Sequence, residues 1–367
     1  MHIEVIGGGP AGLFMSLLVK QARPSWDLRV HERAAPGDTF GFGVVFSNRT
    51  LEVLHPQDPS LWREIEGHLT RWDAIDTWAK GERVRVEGHR FAGCSRGQLL
   101  ETLHERCRRA GVDIQLGSHI DDLAELNDAD LIVAADGVSS RTRTGLSDSF
   151  GARTHWGSSR FIWLASDLPL SSFSFFFRED QAGLWQVHAY PYTEGRSTFI
   201  VETDEATWRA AGLGDADEAA SLDYLSALFA PELSGYRLYT NRSFWRQFPT
   251  IECARWSSGK VTLLGDAAHT AHFSIGSGTR LAMQGANALA KALLQSGDVE
   301  AAQRRYEADH RPEVERLQGA AENSRLWFEE AAFYHGQLSA RELTTSMMNR
   351  TQGGRGSRAR PPLYSAG

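Results

Sequence analysis

The chain is poor in cysteine: Cys94, Cys107 and Cys253 are the only three in 367 residues, with no CxxC pair. So odd and sparse a set argues against a disulfide framework or a thiolate metal site, and it points to reduced thiols in a cytoplasmic setting. Long apolar runs are missing too. None approaches the ~18 residues of a membrane span. The strand-like run from Ile3 starts so close to Met1 that no secretory leader is expected. Charge of one sign is also lacking. The net charge of −7 offers no general attraction to nucleic acid or to an anionic membrane. No internal repeat is visible, and no ligand spacing calls for a metal. With 41% hydrophobic and 23% charged residues the chain has an ordinary globular balance, and its length suffices for two cored domains. Aromatic residues, by contrast, are plentiful. There are 11 Trp and 18 Phe, and several gather between Trp156 and Trp256.

The most informative stretch is the first. Ile3–Ile6 reads as a strand, Gly7-Gly8-Gly9-Pro10-Ala11-Gly12 as a turn, Leu13–Gln21 as a helix stopped by Pro24, and Leu28–His31 as a second strand running into Glu32 and Arg33. Strand, glycine turn, helix, strand and acid together make the dinucleotide-binding fingerprint. Gly7 permits the tight turn, Gly9 lets the backbone approach a pyrophosphate, and Gly12 lets helix and strand pack closely. The start of the helix offers free N–H groups and partial positive charge to phosphates. Glu32 lies 20 residues past Gly12, near the ~20-residue interval at which a carboxylate meets ribose hydroxyls.

A glycine-rich loop, 37–43, leads into Val44-Val45-Phe46, and 48–70 reads as loosely helical. Trp72–Trp78 and Val84–Val86 look like two strands joined at Lys80-Gly81. Ser95 and Gln98 suggest a capping box opening a helix that Gly111 stops. Val112–Leu116 and Leu131–Ala135 read as buried parallel strands. Between Trp156 and Glu202 the apolar period becomes two, predicting four strands of an antiparallel sheet with a hairpin turn at 193–196. Lys260–Leu264 is another buried strand. Helices follow over about 279–295 and 299–334, the second interrupted at Pro312. A nucleotide-binding domain would then come from 1–70, 92–155 and 250–345, the last with C-terminal helices. A sheet-rich substrate domain would come from 71–91 and 156–249. The Gly-, Arg-, Ser- and Pro-rich segment 352–367 reads as a flexible tail.

Three further segments narrow the reading: Arg96 on the capped helix, 136–143 (Asp-Gly-Val-Ser-Ser-Arg-Thr-Arg), and 264–278, which runs from Leu-Gly-Asp to Ser-Gly-Ser-Gly ahead of a helix. With the N-terminal fingerprint, this set resembles the single-component FAD-dependent aromatic hydroxylases, from Met1 to about Trp327. The segments 188–190, 197–202, 272–278 and 323–328 resemble one subgroup. It contains the hydroxylase module of salicylyl-CoA and 2-aminobenzoyl-CoA oxygenases and the violacein-pathway hydroxylase. The segments 40–47 and 72–76 look more like the aryl-CoA members. His272-Phe273 stands where most aromatic hydroxylases carry Pro-Pro, and Gln284-Gly285 where an acid and an aspartate are common.

The resemblance implies an α/β fold, with a Rossmann-like FAD-binding domain and an inserted antiparallel-sheet substrate domain. It implies FAD as cofactor, NADH or NADPH as electron donor, and O2 as co-substrate adding at flavin C4a before transfer to an electron-rich ring. The small aromatic substrate would be CoA- or carrier-protein-linked, an indole or free aromatic being the alternative; the protein would be a monomer or homodimer. FAD is expected against Gly7, Gly9, Pro10, Ala11, Gly12, Glu32, Arg33, Gly43, Arg96, Asp136, Asp266, Gly276, Gly278 and Thr279. Asp266 would meet the ribityl chain, and the helix start at Ser277–Thr279 would meet flavin N1 and O2. Gly41 and Gly43 would let the flavin move. Gln186, His188 and Tyr190 alternate on one face of a strand, with Trp185, Val187 and Ala189 on the other. The polar face is expected to line the cavity, the alternative being a half-solvated sheet face. His188, Tyr190 and His272 are the candidate catalytic residues, and Gln186, Phe273 and Trp245 the candidate substrate contacts. His269 reads as structural. A flavin halogenase or a geranylgeranyl-type reductase would share the scaffold, but no halogenase-type Trp motif with a catalytic lysine is present. A redox protein without hydroxylase activity leaves the aromatic second domain unexplained.

Overall fold

Ile3, Val5, Leu28, Val30 and Leu131–Ala134 are apolar and almost wholly enclosed, and they form the centre of a six-stranded sheet. The structure is a computed structural model that describes residues 1–35, 37–38 and 41–352, without the side chains of Arg49, Val53 and Gln57. Phe40, and the expected tail beyond Gln352, lie outside the described residues. In chain order the strands are β1 (His2–Ile6), β2 (Asp27–Glu32), β3 (Gly43–Ser47), β4 (Thr70–Ala79), β5 (Glu82–Ser95), β6 (Asp113–Leu116), β7 (Leu131–Ala134), β8 (Ala152–Trp156), β9 (Arg160–Ser166), β10 (Phe173–Glu179), β11 (Leu184–Thr193), β12 (Arg196–Thr203), β13 (Leu238–Tyr239), β14 (Pro249–Cys253), β15 (Ser257–Ser258) and β16 (Val261–Leu263).

The first sheet has the order β15-β16-β7-β1-β2-β6 and is parallel except at β15. The helix Pro10–Ala22 lies against it, with Leu13, Phe14, Met15, Leu17 and Val19 fully buried. Proline at the first helical turn costs nothing, because its missing N–H has no helical partner there. A second layer, the helix Gly278–Gln295, packs on the first. Their close approach needs small residues: a Cβ at Gly265, whose φ is +64°, would lie 3.1 Å from Ala11 Cβ and 3.6 Å from Ala282 Cβ.

The second sheet has eight strands in the order β13-β9-β12-β11-β10-β4-β5-β3. It contains the four strands expected between Trp156 and Glu202, but it is mixed, because β10 runs parallel to β4. The Glu194-Gly195 turn closes the β11–β12 hairpin, with Gly195 at φ +65°. β3 belongs to this sheet, antiparallel to β5. A separate ribbon pairs β8 with β14.

The two faces of the second sheet have different partners. Trp185, Val187, Ala189, Phe199 and Val201 form a core with Trp208, Leu225 and Phe229 from helices Glu205–Ala210 and Glu218–Leu228 and the turn after them. Phe175, Phe177 and Leu184 pack on Trp327, Phe328, Tyr334 and Leu343 from the C-terminal helices. Those helices depart from the expected pattern. Val299–Glu329 runs unbroken through Pro312. A proline costs a helix interior about 3 kcal/mol, yet here His310, Val314 and Leu317 on the buried face hold both sides of it, and Arg311 reaches the Cys253 carbonyl. The break falls after Glu329, followed by helices Ala331–Gln337 and Ala340–Met348. The capping box at Ser95 does not form either. Ser95 is still in the strand ladder, paired with Gly43, when the helix Arg96–Ala110 begins, and its side chain makes no cap bond.

Candidate active site

β1, β7 and β16 are neighbours, so the loops after them converge. This is the carboxyl edge of a parallel sheet, where α/β folds bind ligands. Gly7 takes φ +110°, and a Cβ there would lie 2.3 Å from the Ala135 carbonyl oxygen; a Cβ on Gly12 would lie 2.2 Å from Gly7 O. Both positions therefore require glycine. Gly9 differs, since a Cβ there would meet nothing within 4 Å. Its backbone borders open space at the N-terminus of the helix that holds Pro10 and Ala11. Glu32 closes one side: its Oε2 accepts from Gly8 N at 2.7 Å and its Oε1 from Ala34 N at 2.7 Å. Arg33 next to it is exposed.

The loops after β7 and β16 are tied together by Arg143, the last residue of the 136–143 segment. Its guanidinium donates to Ala267 O at 3.0 Å and Val138 O at 2.7 Å. Asp136 accepts from the N–H and hydroxyl of Thr142, and its Oδ1 is buried without a hydrogen-bond partner. Asp266 accepts no hydrogen bond among the described residues. Its side chain is exposed to solvent, yet the protein around it desolvates the carboxylate and pushes its pKa up to about 6 against the pull of Arg96 and Arg143. Desolvation lowers the Arg96 pKa, opposed by Asp266 and Glu32, and the Arg96 side chain has no hydrogen-bond partner among the described residues. Nearby, the helix Gly278–Gln295 starts without a side-chain cap and without an acid in its first turn. Gly276 takes φ +60°, and a Cβ on Gly278 would meet nothing within 4 Å. An uncapped helix start, free glycine backbone, an unpartnered arginine and two carboxylates at one sheet edge fit a nucleotide with a pyrophosphate and polyol.

Gly43 has a different task from the one expected. A Cβ there would lie 2.5 Å from Tyr192 Cβ and 2.8 Å from Thr198 Oγ1, so glycine lets β3 lie close to β11 and β12. Gly41, at φ +74°, does occupy a conformation that favours glycine.

The second sheet turns its titratable face toward the loop that follows β16 and toward the C-terminal helices. Opposed residues of an antiparallel pair share a face, so the register places Gln186 beside Glu202, His188 beside Ile200 and Phe175, and Tyr190 beside Thr198. All are buried. Tyr190 donates its hydroxyl to Gly43 O at 3.1 Å, and burial raises its pKa. Gln186 donates to Phe328 O at 3.0 Å and leaves its Oε1 unpartnered. His188 Nε2 lies 3.0 Å from Glu202 Oε2, and its Nδ1 is buried without a partner. Aromatic rings surround it: Phe328, Phe175 and Phe273, with ring centroids at 4.5, 5.3 and 5.3 Å. His272 and Phe273 come from the loop before Gly276. Phe273 touches Phe161, Trp163 and Phe248. Burial, reinforced by the Arg350 charge, pushes the His188 imidazole down to about 3; burial pushes His272 down to about 4, with Glu202 opposing. Burial drives the Glu202 carboxyl up to about 7.

One expected substrate contact stands apart, as does His269, which the sequence marks as structural. Trp245 lies on the opposite face of the sheet, its Nε1 bonded to Ser221 and its ring against Trp185 and Trp208. His269 packs between Trp256 and His310 in the first domain. Glu202 and Arg350 were not singled out in the sequence. Glu202 carried a usable signal, being an acid at an inward position of an otherwise enclosed strand; Arg350 carried none. Among the described residues no helix is long and apolar enough to cross a membrane.

Comparison with known proteins fits this geometry. The FAD binding domain family model matches residues 1–322. A salicyloyl-CoA 5-hydroxylase of a Streptomyces species is 43% identical over 91% of this chain, which spans 66% of that protein's length. The 3-hydroxy-4-methyl-anthranilyl-[aryl-carrier protein] 5-monooxygenase of Streptosporangium sibiricum is 38% identical over 94% of this chain and 97% of its own length. Among solved structures, 2-methyl-3-hydroxypyridine-5-carboxylic acid oxygenase in its tetrameric form superposes with a TM-score of 0.73 at 23% identity, covering 95% of both chains. With the glycine turn, the converging strand ends and the buried aromatic face in place, the chain belongs to the FAD-binding family of flavin-dependent aromatic monooxygenases.

Proposed function

We propose that this protein uses NADH or NADPH, with O2, to hydroxylate an electron-rich aromatic ring carried as a CoA or carrier-protein thioester. When bound, FAD supplies the redox chemistry and the activation of O2. The chain supplies the cradle. Gly9, Pro10 and Ala11 would take the pyrophosphate at the helix start, Glu32 the ribose, Asp266 the ribityl chain, and Ser277–Thr279 the polar edge of the ring system. Arg96 and Asp136 would complete the cradle with the partners they lack in the protein alone.

The observation that carries the reading is the inward face of the second sheet. It holds unpartnered polar atoms, Gln186 Oε1 and His188 Nδ1, inside a wall of phenylalanine rings. Buried polar atoms are nearly always paired, so a face with such orphans is suited to a ligand that is apolar over its ring and polar at its substituents. Phe273 would pack on that ring. His188, kept neutral by burial, would take or orient the proton of a ring hydroxyl, with Gln186, Tyr190 and His272 fixing the remaining polar edges. The same enclosure excludes water from the reacting ring. The relatives that act on aryl thioesters support this substrate class.

The test is a panel of free aromatic acids, aryl-CoA thioesters, carrier-bound thioesters and indoles. Each is scored for stimulated NADH and NADPH oxidation and for a product heavier by one oxygen atom. Stimulation by thioesters above free acids is expected. Oxidation that no aromatic stimulates would refute the reading.

A further inference from the structure

Glu202 is 1% exposed, yet no lysine or arginine bonds it directly. A buried carboxylate costs several kcal/mol unless its charge is met. Charged and polar groups face it from several elements: His188 on β11, His272 in the loop before Gly276, Ser159 ahead of β9, and Arg325 and Glu329 on the helix Val299–Glu329. Arg325 is itself held by Glu322 and Glu329. Ser159 Oγ is buried without a hydrogen-bond partner, which leaves Glu202 the two imidazoles as its facing groups. Oε2 lies 3.0 Å from His188 Nε2, while Oε1, without a hydrogen-bond partner among the described residues, faces His272 Nε2 at 3.9 Å.

The direction of the hydrogen bonds beyond His272 is set at His272 itself, because the Ser274 backbone N–H can only donate and points at His272 Nδ1 at 3.4 Å. Arg350 stands just past the helix Ala340–Met348 and lies over the rings of Phe175 and Phe328. It donates Nε–H to Ser324 Oγ at 2.8 Å and a second N–H to Ser274 O at 2.9 Å. A guanidinium has donors only, so Ser324 Oγ accepts, and its own proton is free for Ser274 Oγ, 2.7 Å away. With Nδ1 an acceptor, Ser274 Oγ donates to it at 2.8 Å and takes the Ser324 proton in turn. His272 Nδ1 is thus an acceptor, and the His272 proton sits on Nε2, facing Glu202. That arrangement favours Glu202 as carboxylate. A carboxylate can only accept, so His188 must offer it Nε2–H. A neutral imidazole has one N–H, which leaves His188 Nδ1 bare among the phenylalanine rings.

We propose that Glu202 is a positioning residue of the reaction: backed by the Arg350–Ser324–Ser274–His272 chain, it holds His188 in the tautomer whose Nδ1 takes the proton of the substrate's ring hydroxyl. The inference rests on the hydroxylase reading above. In the step, the ring O–H bond breaks, an N–H bond forms at His188 Nδ1, and the electron pair stays on the ring oxygen, where it raises the electron density of the ring. The imidazolium is held by the Glu202 charge, and no other reactant is needed. Protonated Glu202 reverses the arrangement: its O–H donates to His188 Nε2, Nδ1 carries the proton, and the base is lost. Burial places that switch near neutrality.

The experiment uses the FAD-loaded protein and salicyloyl-CoA. The ultraviolet difference spectrum of the bound ring is followed from pH 5 to pH 9, beside the pH profile of stimulated NADH or NADPH oxidation. Glu202→Gln keeps size and shape and removes the charge. It should raise the pH at which the bound ring ionises by about one unit or more, a tenfold change in the equilibrium. It should also lower kcat by more than about tenfold, with KM changed less than about threefold. Glu202→Asp should recover part of both. Ser324→Ala breaks the chain far from the ring and should move ionisation the same way by a smaller amount; Arg350→Lys, still a donor-only cation, should move it less than Ser324→Ala does. Ring ionisation identical in wild type and Glu202→Gln overturns the inference while leaving the hydroxylase reading standing. If salicyloyl-CoA perturbs neither ring nor flavin absorbance in any variant, the hydroxylase reading for this substrate class falls and the inference falls with it.

Discussion

Replacing Glu202 by glutamine should stabilise the protein at neutral and alkaline pH. Enclosure raises the Glu202 carboxyl from 4.5 to about 7. A group whose folded-state pKa is raised contributes stability that is fully present below its unfolded value and is lost as pH rises through the folded value. Here the loss runs from about pH 4.5 to about pH 7. A shift of about 2.5 units at ~1.4 kcal/mol each gives an upper bound of roughly 3.5 kcal/mol, most of it between pH 5 and pH 8. Glutamine cannot ionise, so the variant lacks this term. The buried histidines work the other way. Burial lowers His188, His269, His272 and His310, so each costs stability as pH falls below about 6.5. They are present in both proteins and largely cancel in the difference. Urea unfolding followed by tryptophan fluorescence at several pH values, on wild type and Glu202→Gln together, isolates the carboxylate. The difference in unfolding free energy should change by about 2–3 kcal/mol between pH 5 and pH 8 in favour of the variant. Curves that stay parallel to within about 0.5 kcal/mol would refute the claim that this carboxylate is held against its own desolvation.

Other substitutions separate the cradle, the sheet contact and the ring-binding face. Asp266→Ala should purify without FAD, read as the ratio of flavin to protein absorbance, and a fully yellow variant would contradict the placement of the ribityl chain. Gly43→Ala drives a methyl group against Tyr192 and should cost about 1–3 kcal/mol in urea unfolding, whereas a neutral result would mean that β3 can withdraw from β11. Trp245→Phe loses one hydrogen bond to Ser221 and should cost about 1 kcal/mol of stability while leaving kcat/KM within about twofold; a large kinetic defect would put this ring in the site after all. His188→Ala should keep FAD but slow hydroxylation or divert NAD(P)H oxidation into hydrogen peroxide, and coupled turnover at the normal rate would remove His188 from the site.

What was legible in the sequence was local. Gly7 and Gly12 were readable because the positive φ of the one and the contact of the other with Gly7 O follow from the geometry of one strand–turn–helix unit, although the Gly7 contact with Ala135 comes from a distant strand. The alternation Gln186–His188–Tyr190 was readable because a strand has period two whatever it packs against. Failures came where distant segments decide. Ser95 looked like a cap, but it is paired with Gly43, 52 residues earlier in the chain (95 − 43), when the helix starts. Pro312 looked like a break, yet a buried face spanning it carries the helix through. Trp245 fell on the wrong face because a single tryptophan has no periodic neighbour to orient it. Arg350 reaches Ser274 across 76 residues, a contact no local pattern encodes.

The two sheets divide the work by chemistry. The parallel sheet offers mostly backbone: glycine turns, strand ends and an uncapped helix start, groups whose partial charges do not depend on pH. Such a rim suits phosphates and a cofactor that stays bound. The mixed sheet offers titratable side chains, and it encloses them so tightly that burial decides their protonation. His188 and His272 are kept neutral, and Glu202 is brought to the edge of ionisation. Neutral imidazole is the form that can accept a proton. An ionised partner behind it strengthens it as a base only if that charge is real at working pH. A fully exposed Glu202 would stay ionised over a wider range but would lose its hold through screening. A fully isolated one would stay protonated and leave His188 with the wrong tautomer. The directed chain from Arg350 meets the requirement between these limits: through Ser324 and Ser274 it turns the His272 N–H toward Glu202, so the carboxylate faces a neutral donor and not a cation.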